Sequence, residues 1–135
     1  MSEYTLALLK PDCLKRKLTD TIIEIIKKNG FEIVQQKEVY LTVPQIEAIY
    51  KNFKHEQCFP GFVEFLQSGS CLILLLKSKK AIERLRELIG HGDPEIADPK
   101  SIRGMFGKSF RENIIHASKN EESCIQEQSL FFLKD

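Results

Sequence analysis

The sequence predicts an α/β domain, an α+β sandwich of one sheet covered by helices, on three observations. Short apolar runs of strand length alternate with segments of helical period, in the order β-α-β-α-β-α-β. Turn and cap residues punctuate the runs: Pro11-Asp12, Gly30, Pro60-Gly61 and Gly90. With 42% hydrophobic and 29% charged residues in 135, the chain has the composition to bury roughly two-thirds of its unfolded surface without a disulfide or metal staple. Residues 1–135 read as a single domain, with no internal repeat, low-complexity stretch or linker.

Tyr4 to Leu9 is the first strand, closed by Pro11-Asp12. Thr19 or Asp20 offers an N-cap for a helix carrying Ile22, Ile23, Ile25 and Ile26, with Gly30 as its C′ residue. Phe31 to Leu41 alternates imperfectly and is rich enough in β-branched residues for a second strand. Thr42 and Gln45 form a capping-box pattern, with Pro44 in the first turn. Ile46, Ile49, Tyr50 and Phe53 then recur at i, i+3, i+4 and i+7, which predicts an amphipathic helix through Phe53. Phe62, Phe65 and Leu66 follow Pro60-Gly61 as a short second helix.

Cys71 to Leu76 is continuously apolar and predicts a strand buried on both faces. Ser78 is placed to cap a helix carrying Ala81, Ile82, Leu85, Leu88 and Ile89, ended by Gly90. Residues 91–101 show neither period, and a loop of that length in a small domain is usually functional. Asn113 to His116 is a short strand, and Ser118 with Glu121 makes a second capping-box pattern before a helix holding Ile125 and Leu130.

Several function classes drop out. The net charge of +1 argues against a nucleic-acid partner held by overall charge. No apolar run approaches the roughly 20 residues that span a bilayer, so no membrane is expected. Cys13, Cys58, Cys71 and Cys124 are scattered, with no C-x-x-C pair, which fits a reduced, cytoplasmic compartment and gives no metal site. The glycine-rich dinucleotide and P-loop fingerprints are both missing.

What remains is a set of cations at element ends, Lys10, Arg86 and Arg103, with Asn113 and His116 bracketing the last strand. Phosphoryl transfer needs such parts, fixed cations for the equatorial oxygens and an in-line nucleophile. Histidine can itself be that nucleophile. From pattern alone, a structural or solvated histidine and surface cations are the stronger reading of these residues.

The strings Leu8-Leu9-Lys10-Pro11-Asp12, Ser101-Ile102-Arg103-Gly104 and Asn113-Ile114-Ile115-His116-Ala117-Ser118 resemble the nucleoside diphosphate kinase family, in order and at matching separations. The resemblance runs from about Tyr4 to Phe132 and takes in Phe59-Pro60-Gly61, Ser68-Gly69, Glu127 and Ser129-Leu130-Phe131. It implies a ferredoxin-like βαββαβ core with one four-stranded antiparallel sheet.

It also implies roles. His116 corresponds to the nucleophile that carries the γ-phosphoryl group, oriented by Glu127 and Ser118. Arg86 and Arg103 correspond to phosphate-clamping arginines, and Lys10 and Asn113 to the pair reading the sugar hydroxyls, with Lys10 also near the transferred phosphate. Tyr50 matches a tyrosine beside the histidine, and is equally a core residue of its helix. Asp12 is expected to be structural, and His55 and His91 to be solvated. The implied partners are ATP, ADP and other nucleotides, with Mg²⁺ held by the nucleotide's own phosphates, and self-association into hexamers or tetramers built from dimers.

The chain departs from the family pattern at several positions. A phosphate-contacting threonine is replaced by Gly92, and the glycine after the histidine by Ala117. The base-stacking aromatic position holds Cys58, while Phe110 stands on the opposite side of the base and Phe62 extends the same platform. Glu56-Gln57, Glu112 and Lys119 are further substitutions. Such drift resembles divergent members associated with cilia, which makes the axoneme the alternative location. It also keeps open a second function, a nucleotide-binding or scaffolding domain with weak turnover.

Overall fold

The computed structural model describes residues 2–132. Its four strands are β1 (Ser2–Leu9), β2 (Glu32–Val39), β3 (Cys71–Lys79) and β4 (Ile115–Ala117), in the sheet order β2-β3-β1-β4. Every pairing is antiparallel. The helices are α1 (Pro11–Lys15), α2 (Thr19–Lys28), α3 (Val43–Ile49), α4 (Phe59–Leu66), α5 (Ala81–Ile89), α6 (Ile102–Phe106) and α7 (Glu121–Phe131). This is the α/β architecture the sequence predicts, with the single antiparallel sheet that the resemblance implies.

The two central strands are apolar over Leu6–Leu9 and Cys71–Leu76 because both faces of the sheet are covered there. Ala7 and Leu9 of β1 pack with Leu72, Leu74 and Leu76 of β3 under α2 and α5. Leu6 and Leu8 pack with Cys71 and Ile73 against α3, α4 and α7. Each fully buried leucine or isoleucine contributes about 1.5–3 kcal/mol of transfer free energy. The register sets Leu8 opposite both Ile73 and His116. The histidine is thereby held on the short edge strand β4, paired to the central strand β1.

Several local expectations are corrected. Thr19 is already helical, and neither it nor Asp20 caps α2, whose N-cap Leu18 lends no side-chain bond. Ser78 lies inside β3 and donates to the Gly30 carbonyl (3.0 Å), while α5 starts from Lys80 in a left-handed conformation. Ser118 does not cap α7 either. Asn120 does so, its side chain accepting from Ser123 N at 2.8 Å, because the Ser118 hydroxyl is engaged elsewhere.

α3 ends at Ile49, short of Phe53, in a run of turns. Phe53 nevertheless packs edge-on against Phe59 and Phe62, with ring centroids 6.0 and 5.4 Å apart. The apolar period reported burial there, not helix. The last strand is Ile115–Ala117, which starts two residues and ends one residue later than the sequence suggests. The five-residue helices α1 and α6 have no sequence period long enough to announce them.

The capping box of Thr42 with Gln45 and the positive-φ glycines Gly30 and Gly90 are as predicted. Gly90 and Gly104 close the ends of loop 91–101. Ser101 Oγ donates to Asp98 O (2.6 Å) and accepts from Gly104 N (3.0 Å). A Cβ at Gly104 would collide with the Asp98 carbonyl, and one at Gly90 with Ser101. The loop is therefore pinned beside β4.

Candidate active site

The ends of β1, α3, α4, α6 and β4 surround one cleft of about 570 Å³. Lys10, Tyr50, Cys58, Phe62, Arg103, Phe110, Asn113 and His116, all singled out in the sequence, line it. Lys10 Nζ donates to Asn113 Oδ1 (2.6 Å), and Asn113 Nδ2 donates to the Gly92 carbonyl (2.9 Å). The same ammonium lies 5.4 Å from the centroid of the Phe62 ring. Burial, with Arg103 adding to it, pushes the Lys10 pKa down from 10.5 to about 7.

His116 is half-buried on β4. Its Nε2 faces Glu127 Oε2 at 3.3 Å, and Ser118 Oγ donates to Glu127 Oε1 at 2.8 Å. Among the described residues Nδ1 has no protein partner. A carboxylate on one ring nitrogen sets the tautomer and leaves the other nitrogen its lone pair. The Tyr50 ring stands 5.1 Å from the His116 ring, and its buried hydroxyl is unpartnered. Burial raises the Tyr50 pKa, so that hydroxyl stays protonated.

Arg103 is tied to both flanking backbones. Nη1 donates to Gly90 O (3.0 Å) and Nη2 to Ile115 O (2.6 Å), which leaves its buried Nε without a partner. Burial lowers its pKa to about 10, with Tyr50 opposing and Arg86 reinforcing the shift. A fixed guanidinium with an unspent donor is suited to an incoming anion.

The turn before β4 is strained. Ile114 has φ +79°, and Ile115 N bonds Asn113 O at 2.9 Å across it, a γ-turn of the rare positive-φ kind. Both backbone groups of Ile114 are held: its N–H by Asp12 Oδ2 (3.1 Å), its carbonyl by Lys10 N (2.8 Å). Burial raises the Asp12 pKa against the pull of Lys10. Asp12 thus has the structural position expected of it.

Arg86 lies off the main cleft. It lines a smaller cavity of about 240 Å³ on the other side of His116, with Arg103, Lys119 and Glu127. Gly92 meets the cleft only through its carbonyl. Phe110 is 64% exposed, so it is not a core residue. His55 and His91 are exposed, and His91 Nδ1 accepts from Asp93 N at 2.9 Å. Ala117 is buried in β4. Arg111 also lines the cleft, and the sequence carried no signal for it because it falls in no motif string. Among the described residues no three His, Cys, Asp or Glu side chains gather as a metal site.

The family profile described as nucleoside diphosphate kinase matches residues 3–135. A nucleoside diphosphate kinase of Methanocaldococcus jannaschii is 38% identical over 135 residues, which cover 100% of this chain and 96% of that one. The crystal structure of the apo enzyme of that name from Encephalitozoon cuniculi superposes with a TM-score of 0.95 at 32% identity, covering 98% of this chain and 90% of the other. The Halobacterium salinarum nucleoside diphosphate kinase in complex with CDP superposes with a TM-score of 0.94 at 28% identity, covering 100% and 90%. A match spanning both faces of the sheet and the whole of the cleft leaves one conclusion: the chain is an enzyme of the nucleoside diphosphate kinase family.

Proposed function

We propose that the protein transfers the γ-phosphoryl group of a nucleoside triphosphate to a nucleoside diphosphate through phospho-His116. The observation that carries this reading is the pairing of His116 Nε2 with Glu127, which leaves Nδ1 free in a cleft that Lys10 and Arg103 also line. The Nδ1 lone pair forms the new N–P bond as the bond from the γ-phosphorus to the bridging oxygen breaks. The diphosphate leaves, and a second one takes the phosphoryl group back by the reverse step. Glu127, itself held by Ser118, stabilises the positive charge that develops on the ring.

Lys10 and Arg103 carry the donors for the phosphate oxygens, and Arg86 extends them on the far side of the histidine. The Lys10–Asn113 pair offers donors and an acceptor to the sugar hydroxyls, and Phe62 and Phe110 offer ring surface to the base. The CDP complex of the halobacterial relative supports a nucleoside diphosphate as ligand. The cleft's polar groups suit phosphate and not a divalent cation, so Mg²⁺ fits as an ion brought on the phosphates, where it neutralises their charge.

The test is to incubate the protein with γ-labelled ATP and Mg²⁺ and look for an acid-labile, base-stable phosphoprotein. His116→Ala abolishes the label while nucleotide still binds, and native initial-rate plots are parallel. Label retained in the variant, or intersecting plots, removes His116 from this role. Binding without label would favour the nucleotide-binding alternative, which the missing hydroxyl at Gly92 keeps in view.

A further inference from the structure

Phe110 and Arg111 leave one stretch of chain in opposite directions. The Phe110 ring lies over Gly92, where its Cε1 would stand 3.3 Å from a Cβ on that glycine. The Arg111 guanidinium lies instead on α4, where its Nη2 would stand 2.8 Å from a Cβ on Gly61. The glycine leaves room for the group. Between them is the mouth of the cleft, which both residues line together with Cys58. Cys58 is exposed and offers no ring. Neither ion pair among the described residues involves Arg111, so its planar cation is not committed to a carboxylate.

We infer that the guanidinium of Arg111 is the second wall of the nucleobase slot, facing the Phe110 ring across the bound base. This rests on the nucleotide-binding reading above. A guanidinium plane stacks on any base, as an aromatic ring does, and gains most on an extended, electron-rich face. The slot therefore favours purine over pyrimidine diphosphates. It also explains how a chain with a thiol at position 58 retains two walls.

The experiment is calorimetric titration of native protein, Arg111→Ala, Arg111→Lys and Arg111→Ala/Cys58→Phe with Mg²⁺-ADP, Mg²⁺-CDP and Mg²⁺-pyrophosphate. Arg111→Ala weakens ADP about fivefold, weakens CDP less and leaves pyrophosphate unchanged. Arg111→Lys stays weak, because an ammonium has no plane to stack. The double variant recovers ADP affinity through the restored ring. Undiminished ADP affinity in Arg111→Ala overturns the inference. An equal loss for pyrophosphate overturns it too, by making Arg111 a phosphate contact. Phosphohistidine formation is assayed separately on native protein, so failure of the kinase reading is recognised independently of the base effect.

Discussion

The carboxylate of Asp12 accepts the backbone N–H of Ile114 at 3.1 Å and holds that residue at φ +79°. A β-branched residue there costs of order 1–3 kcal/mol and persists only when its surroundings over-determine it. The clamp sits two residues before His116 on the chain, and Lys10, two residues before Asp12, secures the other side of the turn. The Lys-Pro-Asp string is therefore a device for aiming β4.

Asp12→Ala leaves the buried Ile114 N–H without an acceptor. Loss of such a bond costs about 1–3 kcal/mol, with further loss if the turn relaxes. The denaturation midpoint is expected to fall, and kcat to fall more than nucleotide affinity as His116 loses its aim. Asp12→Asn keeps an acceptor oxygen and is expected to be milder. Native-like stability in the alanine variant would show that the turn holds itself.

Lys10 makes both folding and binding depend on pH. Its folded pKa of about 7 lies below the ordinary 10.5, so between these values the unfolded chain binds a proton that the folded one has released. Stability from this group accordingly rises with pH across that window and is least below it. Phosphate charge beside Lys10 is expected to restore the proton when nucleotide binds as proposed. ADP titrations at pH 8 in buffers of different ionisation enthalpy are expected to show proton uptake, and Lys10→Met to show much less. Equal uptake in both proteins would assign the proton to another group.

Ser118→Ala strips Glu127 Oε1 of its donor inside a site where both residues are buried. A hydrogen bond to a charged group is worth about 1.5–3 kcal/mol. The variant is expected to lose stability of that order and, under the proposed mechanism in which Glu127 acts on the developing charge, to lower kcat with KM little changed. Loss of stability at native kcat would reduce Ser118 to a structural part.

How much of this was legible depended on the kind of signal. The apolar run around Leu8 announced a strand and the one around Ile73 a strand covered on both sides, and the helical periods of α2 and α5 needed no tertiary information. Hydroxyls were misread where two partners competed. The spacing of Ser118 to Glu121 suggested a cap while the family resemblance paired it with Glu127, and the side chain donates to Glu127, leaving the cap to Asn120. His116, Lys10 and Arg103 were legible through their strings. Their convergence on one cleft was not, nor was the place of Arg111, which depends on the space over Gly61.

Gly92 was read as a missing hydroxyl, and its surroundings sharpen that expectation. Its backbone is not in the left-handed region, so a side chain is conformationally admissible, but the first carbon meets the Phe110 ring at 3.3 Å. Gly92→Thr alone is expected to raise kcat/KM only as far as the ring gives way. Gly92→Thr with Phe110→Val removes the obstacle, and about tenfold is then available from one charge-assisted bond to phosphate. If neither variant gains over its own parent, the loop backbone already supplies that donor.

Phe110 itself carries the last prediction. A phenylalanine 64% exposed at the lip of a cleft gives up favourable burial unless something covers it, and among the described residues the one aromatic ring paired with it is His91, edge-on with centroids 6.4 Å apart. Stacking on a base is worth about 1–3 kcal/mol, or about five- to a hundredfold in Kd. Phe110→Ala is expected to weaken ADP by that factor while leaving Mg²⁺-pyrophosphate unaffected. Cys58→Phe, on the opposite wall, is expected to leave ADP unchanged or tighter, since it adds ring surface where a thiol stands. Because Phe110 is outside both cores, its removal leaves the fold intact, so a loss of affinity reports the stack. Undiminished affinity in Phe110→Ala would mean that the base is held from the α4 side alone.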